Sequence, residues 1–208
     1  ANIINFTQEP GREPLAALKD KTAVTLRWLA HDDNGDEMSF SVYYRGDGEQ
    51  TWQLLKEKIT ERYLSFDGGL LPDGPYRLKV VASDAPSHNP GEALTGERVS
   101  DRFLIDTTPP VVTGLAAKMA GGKIHAAFTA TDAATPISHA EYSVDAGPWQ
   151  YMEPVGKISD SLTERFEFDA PLNAPAPGVA PVAAGEHVIT VRVYDRAENS
   201  VAVKAVVR

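Results

Sequence analysis

The sequence predicts an all-β protein built from two antiparallel β-sandwiches in tandem, and three observations lead to this prediction. Apolar and polar residues alternate with a period of two, turn-forming dipeptides recur at short intervals, and the second half of the chain repeats the pattern of the first. With 208 residues, the chain is long enough for two domains of about 100 residues, each with its own core.

The alternation marks the strands in order along the chain. Residues 23–30 place Val24, Leu26 and Trp28 on one side, and the same period returns over residues 39–44 and 76–82. A period of two is typical of strands with one buried face. No helical stripe of useful length interrupts the pattern. Dipeptides that favour turns separate the strands, among them Asn34-Gly35, Asp47-Gly48, Asp73-Gly74 and Ala146-Gly147.

An internal repeat indicates two copies of one domain. A shift of about 100 residues lays Trp28 on Phe128 and Trp52 on Trp149, and it lays "DGPYRLKVVASD" at 73–84 on "AGEHVITVRVYD" at 184–195. Order and spacing both recur. We therefore predict one sandwich over residues 1–107 and a second over residues 108–208, with a Pro-rich insertion at 170–185.

The predicted boundary between the copies is the segment "LIDTTPPVV" at 104–112. Pro109 and Pro110 cannot donate backbone hydrogen bonds, and each fixes its own φ angle. A linker this short and this stiff should hold the two domains end to end, unlike a Gly/Ser tether. Both prolines are therefore expected to be structural residues.

Both halves resemble fibronectin type III domains and the related bacterial immunoglobulin-like repeats. The resemblance rests on Trp28 in strand B, on "FSVYY" as strand C, and on "LLPDGPYRLKVVASD", which leads into strand F. It implies a tyrosine corner, in which the hydroxyl of Tyr76 bonds to backbone upstream. The second half has Phe128 and His187 at the positions of Trp28 and Tyr76. "IDTTPP" and "DRAENS" are similar to the joints and turns of repeat arrays on bacterial envelope and secreted proteins.

Composition disfavours several classes of partner. The net charge of -9 and the pI near 5.0 disfavour nucleic acid and anionic membranes, because both require a positive protein surface. No apolar run approaches the roughly 20 residues that span a bilayer. With no cysteine, the chain forms no disulfide and carries no thiol chemistry. It begins at Ala1 without a signal sequence, so an export signal is expected to lie outside this segment.

The sequence carries none of the common catalytic motifs, such as G-x-S-x-G, H-E-x-x-H, a Walker A loop or G-x-G-x-x-G after a strand. Its five histidines are scattered singly, which does not favour a metal site or a catalytic triad. Arg45-Gly46-Asp47 opens a hairpin, where Gly and Asp suit a tight turn, so we interpret it as a turn. We therefore predict that the chain is not an enzyme.

Trp52 and Trp149 follow a hairpin at equivalent places in the two copies. An exposed indole face could stack on a sugar ring, whereas the structural alternative is packing at the edge of the sheet. Repetition in both copies favours the structural role.

The stretch "HDDNGD" at 31–36 resembles a calcium loop, because Asp32, Asn34 and Asp36 alternate. A helix-loop-helix calcium site needs Gly at its sixth position and Glu at its twelfth. Counted from Asp32, these positions hold Glu37 and Tyr43, so that kind of site is excluded.

A different calcium site follows from the predicted topology, because the B–C and F–G loops share one end of a sandwich. Asp32 is then expected near Asp84, and Asp132 near Asp195. Clustered carboxylates repel unless a cation, a backbone amide or solvent relieves them. These four residues are candidate ligands of a weak calcium site, and a turn capped by its own aspartate is the alternative.

These features favour a non-catalytic spacer or adhesion-like module of a larger bacterial envelope or secreted protein. It would be extracellular or periplasmic and would contact other domains of its parent or a surface protein. The alternative is a carbohydrate-binding accessory module of a secreted enzyme, and a third hypothesis is a hydrolase. An exposed aromatic platform would favour the carbohydrate-binding module. A deep pocket with convergent carboxylates or histidines would favour the hydrolase. Beyond weak calcium binding, no cofactor is expected.

Overall fold

A computed structural model describes residues 22–89, 91–172 and 185–208. Strands dominate these residues, with short 3-10 helices at Gly68–Leu70 and Ala85–Ser87. In the described ranges no helix is both long enough and apolar enough to cross a membrane. The strands are β1 (Ala23–Arg27), β2 (Ser39–Gly46), β3 (Gln53–Ile59), β4 (Tyr63–Asp67), β5 (Gly74–Ser83), β6 (Thr95–Val99), β7 (Phe103–Ile105), β8 (Val111–Ala120), β9 (Lys123–Thr131), β10 (Ile137–Val144), β11 (Gln150–Met152), β12 (Thr163–Pro171), β13 (His187–Asp195) and β14 (Ser200–Val207).

The first half forms two antiparallel sheets. β1 pairs with β4, and the other sheet has the order β3-β2-β5-β6. β6 pairs with the end of β5, from Lys79 to Ser83, and β7 pairs with its beginning, from Gly74 to Tyr76. The edge next to β5 is therefore made of two consecutive short strands.

The second half has the same arrangement of strands. One sheet has the order β12-β9-β8, and the other has the order β11-β10-β13-β14. β9, β10, β12 and β13 take the places of β1, β2, β4 and β5, and all of these pairs are antiparallel. The predicted fold class, all-β with antiparallel sandwiches, is confirmed. Residues 1–21, which the predicted first domain includes, lie outside the described residues.

The core of the first sandwich follows from the period of two. Phe40 and Val42 in β2 and Leu78 and Val80 in β5 point inward and pack together. Trp28 packs edge-on against Phe40, with 5.3 Å between ring centroids. β1 ends at Arg27, before the predicted end of the strand, but the Trp28 amide still donates to the Arg62 carbonyl at 3.1 Å.

The second sandwich fills the corresponding positions with different residues. Phe128, at the position of Trp28, stacks on Phe166 with 4.9 Å between centroids. His187, at the position of Tyr76, is buried, and its Nδ1 lies 2.7 Å from Oδ2 of Asp145. The second copy therefore replaces the tyrosine corner with a histidine-carboxylate contact.

The Pro-rich insertion begins later than the sequence predicted. β12 continues through Pro171, with Ala170 opposite Ile124 and fully buried, so the first two residues of the predicted insertion belong to a strand. Pro171 is tolerated because β12 is an edge strand of its sheet. Residues 173–184 of the insertion lie outside the described part of the chain.

Tyr76 makes the hydrogen bond that a tyrosine corner requires. Its hydroxyl donates to the carbonyl of Pro72 at 2.8 Å, and its ring packs with Leu71 and Ile105. Burial, followed by the negative charge of Glu49, raises the pKa of Tyr76, so the hydroxyl remains a donor at neutral pH.

We predict that Tyr76→Phe lowers the free energy of unfolding of the first sandwich by about 1 to 2 kcal/mol, because the Pro72 carbonyl loses its partner. Urea unfolding followed by tryptophan fluorescence measures this in a Trp149→Phe background, where both remaining tryptophans are in the first half. Tyr63→Phe is the control, because that ring is 51% exposed. Equal losses in the two variants would show that the corner contributes nothing.

The boundary between the domains stays a prediction that a fragment experiment can test. Residues 1–107 and 108–208, expressed separately, should each unfold cooperatively, because β1–β7 and β8–β14 each complete two facing sheets. Calorimetry of each fragment measures this. An unfolded fragment on either side would place the boundary elsewhere.

Candidate functional site

The linker between the sandwiches is held from the side of the first sandwich by Asp73. Its carboxylate accepts hydrogen bonds from the amide and the hydroxyl of Thr107, both at 2.8 Å, and from the hydroxyl of Thr108. Asp73 comes directly before β5 and next to the tyrosine corner. The start of the linker is thus fastened to a well-packed part of the first sandwich.

The second sandwich holds the same linker through Asp106. The side chain of Asn199 donates to the backbone carbonyl of Asp106 at 3.0 Å, and the hydroxyl of Thr135 donates to its carboxylate. Pro110, which directly precedes β8, is fully buried. Pro109, in contrast, is exposed. Both sandwiches therefore bind the connecting segment directly.

Three aspartates meet where the linker enters the second sandwich. Asp106 lies in the linker, Asp132 directly follows β9, and Asp195 ends β13. One carboxylate oxygen from each lies within 4.8 Å of the others. The structure brings Asp132 and Asp195 together, as we expected for loops at one end of a sandwich. It adds Asp106, which the sequence analysis missed.

The hydrogen bonds of this cluster leave one oxygen without a partner. Asp195 accepts from the Asn199 amide at 2.8 Å and from its side chain at 2.9 Å. Asp132 accepts with Oδ1 from the amides of Ala134 and Thr135, both at 2.8 Å. Its Oδ2 is buried and has no hydrogen-bond partner among the described residues.

The cluster is electrostatically unfavourable as it stands. Burial raises the pKa of Asp195, and the neighbouring charges of Asp106 and Asp132 raise it further, against the hydrogen bonds from Asn199. The ion pairs found between described residues all lie elsewhere, so within those ranges none of the three aspartates pairs directly with a Lys, Arg or His.

A second acidic group occupies the equivalent end of the first sandwich, and it contains a histidine. Nε2 of His88 lies 3.2 Å from Asp36 and 3.3 Å from Asp84. Asp32 is not part of this group. Its Oδ1 accepts from the amides of Asn34 and Asp36 in its own turn. The hydrogen bond from Asp36 is the main cause that lowers the pKa of Asp32. Asp36 thus takes the place that we predicted for Asp32.

Trp52 and Trp149 each carry a cation over the ring. The guanidinium carbon of Arg45 lies 4.5 Å from the centroid of Trp52, and that of Arg192 lies 4.2 Å from the centroid of Trp149. Arg192 also forms an ion pair with Glu141 at 2.7 Å. Such stacking occupies a face that a sugar ring would need. It therefore favours the structural role for both tryptophans.

A groove of about 740 Å³ opens in the first sandwich beside β1 and β6. Trp28, Leu78 and Val80 are among its lining residues, and Asp84 is one of the acidic ones. Oδ1 of Asp84 already accepts from the Leu94 amide at 2.7 Å. One carboxylate of the groove is thus already engaged with backbone.

Comparison with known proteins gives a likeness of fold to solved structures. No protein-family model and no curated protein matches the chain. Among solved structures, it is similar to the FN1–FN3 domains of chicken CNTN1, at 14% identity and a TM-score of 0.37. The match covers 90% of this chain and 63% of that one. The strand order of the chain itself, with a three-stranded sheet facing a four-stranded one in the second half, is fibronectin type III-like.

We predict that Arg192→Leu lowers the free energy of unfolding of the second sandwich by about 1 kcal/mol, because it removes the stacking on Trp149 and the pair with Glu141. Chemical unfolding of the full chain measures the loss. Arg165→Leu is the matched control, since Arg165 pairs with Glu167 on the surface and has no ring beneath it among the described residues. A loss no larger than in the control would contradict a stabilising stack.

Proposed function

We propose that the chain is a non-catalytic spacer module that holds two fibronectin type III-like sandwiches in a fixed relative orientation. The observation that carries the proposal is the linker, which is hydrogen-bonded to the first sandwich through Asp73 and to the second through Asn199 and Thr135. A flexible tether needs no such bonds, and they oppose free rotation of one domain against the other.

The hydrogen bonds that Asp73 accepts from the linker favour its ionised form, which is the form present at neutral pH. Partial burial acts to raise the pKa of Asp73, but hydrogen bonds from Thr108 and Thr107 outweigh it and lower the pKa below its usual value. A carboxyl with a lowered pKa in the folded state stabilises that state above its ordinary pKa, and the stabilisation is lost as the pH falls through the lowered value. At neutral pH, the stabilisation is fully present.

The proposed parent is a larger secreted or cell-envelope protein of bacterial type, and the partners are its other domains or a surface protein. The similarity of "IDTTPP" and "DRAENS" to the joints of bacterial repeat arrays supports this context. The net charge of -9 supports protein partners over nucleic acid or anionic lipid. The stacked cations on Trp52 and Trp149 support such a role over carbohydrate binding.

The rotational motion of the two halves tests the spacer role. In the full chain, nitrogen-15 NMR relaxation should give one correlation time for both sandwiches, measured in chelator at neutral pH. Asp73→Ala should give the two halves shorter and different correlation times, because Thr107 and Thr108 lose their acceptor.

Asp47→Ala is the matched control for Asp73→Ala. It removes an aspartate of the same sandwich that pairs with Arg102 and makes no bond to the linker, and it should leave the shared correlation time unchanged. Independent tumbling of the two halves in the wild-type chain would refute a spacer of fixed geometry.

A further inference from the structure

We propose that Asp106, Asp132 and Asp195 form a calcium-binding site at the joint between the two sandwiches. The three residues come from separate segments, namely the linker, the turn after β9 and the end of β13. A bound ion therefore connects the linker to the body of the second sandwich.

The unpartnered oxygen of Asp132 is the first observation that points to a ligand. Asp132 is 4% exposed, and its Oδ2 is buried without a hydrogen-bond partner among the described residues. Oδ1 is already held by two amides of its own turn, so Oδ2 is the oxygen left to bind a ligand. A buried polar atom without a partner is rare in folded proteins, and an ion is one of its recognised explanations.

The spacing of the three carboxylates fits a single calcium ion. Calcium binds oxygen at about 2.3 to 2.6 Å, so two oxygens on one ion lie no more than about 5 Å apart. The three carboxylate oxygens lie within 4.8 Å of one another, which is compatible with this limit.

The donor set favours calcium over other cations. It consists of carboxylates, with no sulfur or imidazole among the three residues, which suits a hard cation. Calcium accepts irregular arrangements of six to eight oxygens, whereas magnesium demands near-octahedral geometry at about 2.0 to 2.1 Å. Water completes the coordination.

The equivalent end of the first sandwich has an imidazole beside its carboxylates. His88 lies between Asp36 and Asp84, within 3.3 Å of both carboxylates. In the second sandwich, the described residues place no such side chain beside the three aspartates, and burial together with mutual repulsion raises the pKa of Asp195. A divalent cation relieves this repulsion directly.

Titration of the full chain with calcium chloride tests the site. With three carboxylates and water as ligands, we expect one ion per chain and a dissociation constant of about 0.1 to 1 mM, the range of extracellular calcium modules. Calorimetry should give this stoichiometry, and the melting temperature of the second sandwich should rise in calcium relative to chelator. Magnesium chloride at equal concentration should produce a smaller rise.

Asp132→Asn identifies the residue responsible. Asparagine keeps an oxygen for the amides of Ala134 and Thr135 but removes the charge at Oδ2. We expect calcium affinity to fall at least tenfold, while the melting temperature in chelator stays equal or rises, because one of three repelling charges is gone. Asp106→Asn should weaken calcium binding similarly and provides a second variant if Asp132→Asn folds poorly.

Asp32→Asn is the matched control, because Asp32 has the position of Asp132 in the first copy and caps its own turn in the same way. It should leave calcium binding unchanged. The proposal is overturned if the wild-type chain gives neither heat nor a shift in melting temperature up to about 10 mM calcium, well above the expected range. It is equally overturned if both Asp132→Asn and Asp106→Asn bind calcium as the wild type does. Because the relaxation experiment is carried out in chelator, failure of the spacer role and failure of the calcium site are distinguishable.

Discussion

The two sandwiches are joined by only five residues, 106–110, and this short connection determines the structure around it. Because β7 ends at Ile105 and β8 begins at Val111, the loop before β5 and the turns after β9 and β13 must approach the same segment. The linker's polar groups then find partners on both sides, in Asp73 and in Asn199. The same hydrogen bonds that satisfy the polar groups of the linker therefore also orient the two domains.

The same constraint creates the electrostatic difference between the two copies. In each copy, aspartates from the turns at one end of the sandwich face each other, and a pair of charges about 5 Å apart at a dielectric constant of about 20 repels by roughly 3 kcal/mol. In the first copy, the imidazole of His88 lies against both Asp36 and Asp84. The second copy adds a third carboxylate from the linker, and burial removes the screening that water supplies.

The sequence predicted what local pattern determines, and it failed where distant segments meet. The alternation through Phe40 and Val42 predicts β2 and its buried face, because the period of a strand is set by its own backbone. Topology alone predicts that Asp132 and Asp195 meet. Asp106 could not be found in this way, because its place depends on how the second sandwich docks onto the linker. Equivalent positions in the two copies pointed to Asp32 in the first sandwich, but Asp36, four residues later in the same turn, is the residue that lies with Asp84 and His88.

Calcium would add to protein contacts that already hold the joint. Its contribution can be compared, as a free energy, with that of the hydrogen bonds to the linker. An ion present at about 1 mM with a dissociation constant of about 0.1 to 1 mM stabilises the bound form by about 0.4 to 1.4 kcal/mol. One hydrogen bond contributes a similar net amount, about 0.5 to 1.5 kcal/mol, and Asp73 alone accepts three from the linker. Calcium therefore stiffens the joint without being required for it. Only surroundings with calcium near the millimolar range fill such a site to a large extent.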